Sequence, residues 1–263
     1  MTPAFERYVI VVIAAMSIGL LSASAGTFGQ ERGCPVPEHF YTHEPTVKKT
    51  AKALAGGREV VIVALGGAST VGLAAGGPDL AWPTRLASTL AVRFPSGRTK
   101  VVNLAVARQT AKRAAERLER DVLPLKPTLV IWETGTMEAV RGTDVAEFRE
   151  TVQAGIDELR AAGAEVVLMN MQFSRETDTM IHFEPYLIAM RELSDVNDVP
   201  LFRRYDIMRH WAEHGSLDLR AKDSDKRRQV ATRLYGCIGR AMADFVTHGD
   251  PVAKRAPGAD IDR

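Results

Sequence analysis

Short β-branched apolar runs alternate along the chain with longer segments of helical period, a rhythm that predicts parallel strands joined by crossover helices. The strands are expected at residues 59–65, 100–104, 128–133, 165–170 and 200–202. Their apolar character is continuous rather than alternating, as burial on both faces of a sheet requires. Helical spacing predicts helices over 80–94, 110–122, 144–162, 184–197, 206–214 and 228–246. The first presents Leu80, Leu86, Leu90 and Val92 on a core stripe, and the fifth centres on Trp211. Thr143 or Asp144 caps the third helix and Gly163 closes it, while the Leu-Pro-Leu-Lys-Pro127 run stops the second. The expected fold is α/β, a three-layer α/β/α sandwich on a mainly parallel five-stranded, flavodoxin-like sheet.

The amino end departs from this rhythm. Arg7 precedes an apolar run over 8–21, followed by Ala23-Ser24-Ala25, the layout of a cleavable signal peptide. That run falls short of the roughly 20 residues a membrane-spanning helix needs, so no stable span is expected after cleavage. The expected organisation is a signal peptide over 1–25, an amino-terminal extension over 26–57, the α/β domain over 58–248 and a tail over 249–263. Localisation is therefore expected to be exported, either periplasmic or secreted. In an oxidising compartment Cys34 and Cys237 have two readings, a disulfide or two unpaired thiols, one exposed and one buried.

With 263 residues, 46% hydrophobic and 25% charged, the chain has the length and apolar content for a sizeable core. A net charge of +2 with scattered basic residues leaves no electrostatic stripe for nucleic acid. No cysteine and histidine spacing suggests a metal, and no motif suggests a cofactor. His210 and His214 lie one helical turn apart without an evident third ligand, and His39 and His43 fall in the extension.

Open parallel sheets gather their chemistry at the carboxyl ends of the strands. The first strand runs into Gly66-Gly67-Ala68-Ser69-Thr70-Val71-Gly72 and so delivers a serine to that edge. Glu133, Glu138, Arg141, Asn170, Gln172 and Ser174 follow later strands and are candidate binding residues on the same rim.

The serine turn, the following Trp82-Pro83-Thr84-Arg85-Leu86, the strand end at Asn103 and the Lys126-Pro127…Trp132-Glu133-Thr134-Gly135-Thr136 block together resemble the SGNH/GDSL hydrolase superfamily. The resemblance covers about residues 59–246 and keeps the order of the blocks. It implies a serine nucleophile at Ser69, assisted by an oxyanion hole and a histidine three residues after an aspartate. The glycine of that oxyanion hole falls on Arg108, which keeps its backbone N–H, and the asparagine falls on Met137, whose thioether has no proton to donate. The histidine position falls on Gln229, with Asp225 four residues before it. An amide is no general base near neutral pH, which leaves His182, after the fourth strand, as the rescue candidate. Two functions follow from the resemblance. One is a serine esterase or acyltransferase using Ser69 on an acylated glycan or lipid. The other is a catalytically disabled domain that binds an envelope glycan or a partner protein. The oligomeric state is left open.

Overall fold

A computed structural model describes residues 33–221 and 223–248. The expected signal peptide and tail lie outside the described residues. Five strands, β1 (Glu59–Leu65), β2 (Arg98–Asn103), β3 (Leu129–Glu133), β4 (Glu165–Met169) and β5 (Leu201–Phe202), form one sheet in the order β2-β1-β3-β4-β5. Every neighbouring pair is parallel, with Ile62 opposite both Val101 and Leu129, and Trp132 opposite Leu168. The chain order turns back between β1 and β3, the switch point at which this topology opens a crevice beyond the strand ends.

Among the described residues ten α-helices accompany the sheet: α1 (Lys48–Ala55), α2 (Ala68–Val71), α3 (Trp82–Arg93), α4 (Ala111–Ala115), α5 (Thr136–Arg141), α6 (Val145–Ala161), α7 (Arg175–Met180), α8 (Glu184–Asn197), α9 (Arg204–Glu213) and α10 (Ser224–Thr247). Asp144 caps α6 by accepting the N–H groups of Ala146 and Glu147 at 2.9 and 3.0 Å. Asp223 caps α10 in the same way, so that helix begins earlier than its hydrophobic period indicates. All of β3 is buried, and Trp82, Trp132 and Trp211 anchor the core. α10 lies directly on α3 at Gly239, where a Cβ would stand 2.5 Å from that of Arg85.

Three local expectations need correction. Val92, assigned to a core stripe, is 70% exposed, because of the four stripe residues only Leu86 and Leu90 turn fully inward. The helix expected over 110–122 is α-helical only through Ala115; wider and tighter turns carry the chain to Leu125, where Pro124 has no N–H to continue a regular helix. The short helices α1, α2, α5 and α7 were not foreseen.

The segment preceding β1 packs on the core through Phe40, Tyr41, Val47 and Leu54. Glu165 caps α1 by accepting the N–H groups of Lys49 and Thr50 at 2.8 and 2.7 Å. Trp211 Nε1 donates to the Pro35 carbonyl at 2.9 Å, and a disulfide joins Cys34 to Cys237 across 203 residues of sequence.

Candidate functional site at the β1–β3 switch point

The site is built where β1 and β3 end. After β1 the chain passes Gly66 and Gly67 and enters α2, which places Ser69 at the sheet edge, 8% exposed. Beside it Glu133, the last residue of β3, turns its carboxylate into the same turn. Gly66 makes that approach possible, since a Cβ there would lie 2.6 Å from Glu133 Oε2 and 2.5 Å from Thr70 Oγ1. The Glu133 carboxylate accepts from Ser69 Oγ at 3.0 and 3.1 Å, from Gly67 N at 3.2 Å and from Thr70 Oγ1. Thr70 Oγ1 in turn accepts from Trp82 Nε1 at 3.0 Å.

The charge of Glu133 is answered by Arg204, the first residue of α9 and 1% exposed, whose Nη1 lies 3.2 Å from Glu133 Oε1. The same Nη1 is 3.0 Å from Ser69 Oγ, and Nη2 donates to Gln172 Oε1 at 2.8 Å. A guanidinium only donates, so Ser69 Oγ accepts from Arg204 and gives its own proton to Glu133. Tyr235 of α10 feels this pair: burial first, and then Glu133, push its phenol upward against the opposing field of Arg204. Sequence reasoning missed Arg204. The available signal was the Arg203-Arg204 pair directly after the last strand, at the edge where ligands bind.

A cavity of about 110 Å³ opens over Ser69, with Arg108 and Gln109 on one side and Thr136 and Met137 on the other. Arg108 holds the left-handed backbone at φ 60°, the conformation that favours glycine. Asn103 has a framing role: its Nδ2 donates to the Thr70 carbonyl at 2.6 Å and its Oδ1 accepts from Ala105 N at 3.1 Å. Gln172 reaches the cavity with Glu133.

Other predicted residues are placed elsewhere. Gln229 and Asp225 are exposed on the first turns of α10, and neither is a recorded hydrogen-bond partner of Ser69. Both positions lie on the solvent side of that helix. His182, in the loop before α8, is also exposed, with Nε2 4.0 Å from Glu184 Oε2. Asn170 is buried and accepts from Tyr205 N at 2.8 Å, a framework contact that ties β4 to α9. Ser174 caps α7 by accepting from Thr177 N at 3.1 Å.

Glu138 and Arg141 line a second cavity of about 260 Å³. Glu138 is 2% exposed and its carboxylate accepts from Ala111 N at 2.5 Å and from Gly135 N at 3.2 Å. Burial raises its pKa, opposed by those N–H groups and by Arg141. His210 and His214 stack with ring centroids 4.0 Å apart. Among the described residues no group of three or more His, Cys, Asp or Glu side chains could hold a metal ion.

A five-stranded parallel sheet in this order, with a serine in the turn after β1 and the Asn103 and Gly135 turns after the next two strands, defines an SGNH/GDSL hydrolase scaffold. Within that superfamily the chain belongs to the Non-GDSL lipase-like family, whose profile matches residues 33–250. No curated protein matches the chain. Among solved structures, a G-D-S-L-family protein from Desulfitobacterium hafniense is similar at 18% identity and a TM-score of 0.56, over 71% of this chain and 99% of that one. A two-domain esterase active on acetylated mannans is similar at 17% identity and a TM-score of 0.61, over 78% of this chain and 53% of that one. An acetyl-xylooligosaccharide esterase from Geobacillus stearothermophilus is similar at 16% identity and a TM-score of 0.55, over 68% of this chain and 94% of that one. At these identities the likeness is one of fold.

Proposed function

We propose that this protein is an exported SGNH-fold domain that binds an acylated glycan in the Ser69 cleft without hydrolysing it. The observation that carries this reading is the engagement of Ser69 Oγ between Glu133 and Arg204, with no imidazole among its hydrogen-bond partners in the described residues. A serine nucleophile needs a base with a pKa near the working pH. Glu133 is a carboxylate already receiving four donor groups, and a guanidinium stands 3.0 Å from the oxygen that would attack. Met137 brings a thioether to the cavity wall where the family's asparagine would donate. Loss of one such oxyanion donor typically lowers turnover by about 10²–10³.

The ligand class is argued from the cleft and from the neighbours. The cavity has room equal to three or four waters at about 30 Å³ each, enough for an acetyl group. The two glycan-directed neighbours act on acetylated mannans and on acetyl-xylooligosaccharides. Export accords with the Cys34–Cys237 disulfide, since such bonds persist in oxidising compartments. Among the described residues no helix is long and apolar enough to cross a membrane.

The test is to expose wild type and Ser69→Ala to a fluorophosphonate serine probe and to p-nitrophenyl acetate, and to titrate both with acetylated xylotetraose by NMR. Saturable shifts in wild-type amides around Ser69, with no labelling and no turnover, are expected. Labelling of wild type that disappears in Ser69→Ala would instead establish an esterase that uses Glu133 as an unconventional base. Its direct contact with Ser69 Oγ is the observation that favours this second reading.

A further inference from the structure

The wall between the two cavities has its own chemistry. On the Ser69 side the wall is formed by Arg108 and Gln109 from the loop after β2 and by Thr136 and Met137 from the first turn of α5. The residues that follow them, Thr110 and Ala111 at the start of α4 and Glu138 in α5, line the 260 Å³ cavity. The two hollows are therefore separated only by a ridge at 109–111 and 136–138. Glu138 stitches that ridge, since its two carboxylate oxygens accept one N–H from each segment.

The ridge also carries hydrogen-bonding capacity that the protein does not use. Gln109 Oε1 and Thr136 Oγ1 are buried atoms with no hydrogen-bond partner among the described residues. Gln109 stands on the loop after β2 and Thr136 at the start of α5, and both residues line the Ser69 cavity. The ridge thus holds an amide oxygen and a hydroxyl that are free to meet a partner from outside the chain. Each Glu138 oxygen accepts one N–H and retains a further lone pair. The second cavity adds Lys112, Arg141, Thr143 and Thr151 beside Phe148, a mixture of hydrogen-bonding groups and apolar surface that matches the hydroxyls and C–H faces of a sugar ring.

We infer that the 260 Å³ cavity is a sugar subsite. The ligand's acyl group sits over Ser69, its backbone crosses the ridge to meet the Gln109 amide and the Thr136 hydroxyl, and the neighbouring sugar unit lies against Glu138 and Arg141. This assignment rests on the glycan-binding reading of the Ser69 cleft and adds to it a minimum ligand length and a direction. A small rotation of the Gln109 amide or the Thr136 hydroxyl presents each group to the ligand. The cleft then recognises an acylated oligosaccharide and discriminates against a single acylated sugar.

The test compares the affinity of wild-type protein for acetylated xylotetraose with that for methyl acetyl-xyloside, by calorimetry and NMR. Thr151→Trp, which fills the second cavity from α6, and Gln109→Ala are measured alongside, with thermal melts to verify folding. At least a tenfold preference for the tetraose is expected in wild type, with amide shifts at Glu138, Arg141 and Thr143 that the monosaccharide does not produce. Thr151→Trp should bring the tetraose affinity down to that of the monosaccharide, and Gln109→Ala should weaken the tetraose about fivefold. Equal affinity for both ligands in wild type, or a tetraose preference that survives in a folded Thr151→Trp, would overturn the subsite and leave the Ser69 cleft standing. Binding of neither ligand would sink the cleft reading together with the subsite.

Discussion

Glu133 and Glu138 stand five residues apart, one ending β3 and the other inside the helix that follows, and both are nearly sealed from solvent. Their surroundings differ. Glu133 faces a guanidinium, two hydroxyls and one backbone N–H, whereas Glu138 is met by two backbone N–H groups and the more distant field of Arg141. Glu133 thus has a full opposite charge beside it, whereas Glu138 has peptide dipoles in contact. Burial moves the Glu138 pKa upward. The first arrangement fixes a hydroxyl in place, and the second joins two segments.

The largest break in this contrast comes from Arg204→Met. It leaves Glu133 as an uncompensated charge, and a loss of about 3–5 kcal/mol in urea unfolding is expected. The double variant Glu133→Met/Arg204→Met should recover most of that loss. A double variant as unstable as the single one would show that Arg204 acts through packing rather than through charge. Gly66→Ala comes next, because it drives a methyl group to 2.6 Å from Glu133 Oε2. A loss of about 1–3 kcal/mol is expected from overpacking, and an unchanged denaturation midpoint would mean that the turn yields freely.

For Glu138→Ala a comparable loss of about 1–3 kcal/mol is expected, from two N–H groups left without their acceptor. Glu138→Gln retains an amide oxygen and should fall between that variant and wild type, as read by protection of the Ala111 and Gly135 amides in hydrogen exchange. The smallest effect is the pH dependence that separates Glu138→Gln from wild type. The native Glu138 pKa lies above its ordinary 4.5, so the folded state binds more protons than the unfolded state just above that value. Stability from this group is therefore present at low pH and declines as pH rises through the raised pKa. The wild type minus Glu138→Gln difference in melting temperature should become more negative across that window, and a difference that rises with pH would contradict the burial of Glu138.

Strand positions and the serine edge were legible because fully buried strands leave uninterrupted runs such as Val60–Ala64, and a small-residue turn after one marks the ligand edge. The Glu133–Arg204 pair was not. An Arg-Arg doublet reads as solvated surface, and only tertiary packing shows that Arg203 stays partly exposed while Arg204 turns inward to a carboxylate 71 positions earlier in the chain. Glu138 was recognised as a rim acid, but its place in a second cavity depends on α5, a helix too short to leave a hydrophobic period. Gln229 shows a converse error. Its position was read from a register that set Tyr235 and the helix around it in line, and a register fixes a place along the helix but not the face, which for Gln229 is the solvent side of α10.

The Cys34–Cys237 bond also bears on the order of assembly. Its first sulfur precedes every strand and its second lies in the final described helix, so the native pair cannot close until almost the whole domain has been synthesised. A chain broken off anywhere before α10 carries a solitary thiol at its front. The bond therefore serves as a chemical receipt for a complete domain, legible to any thiol reagent before the cleft has met a ligand.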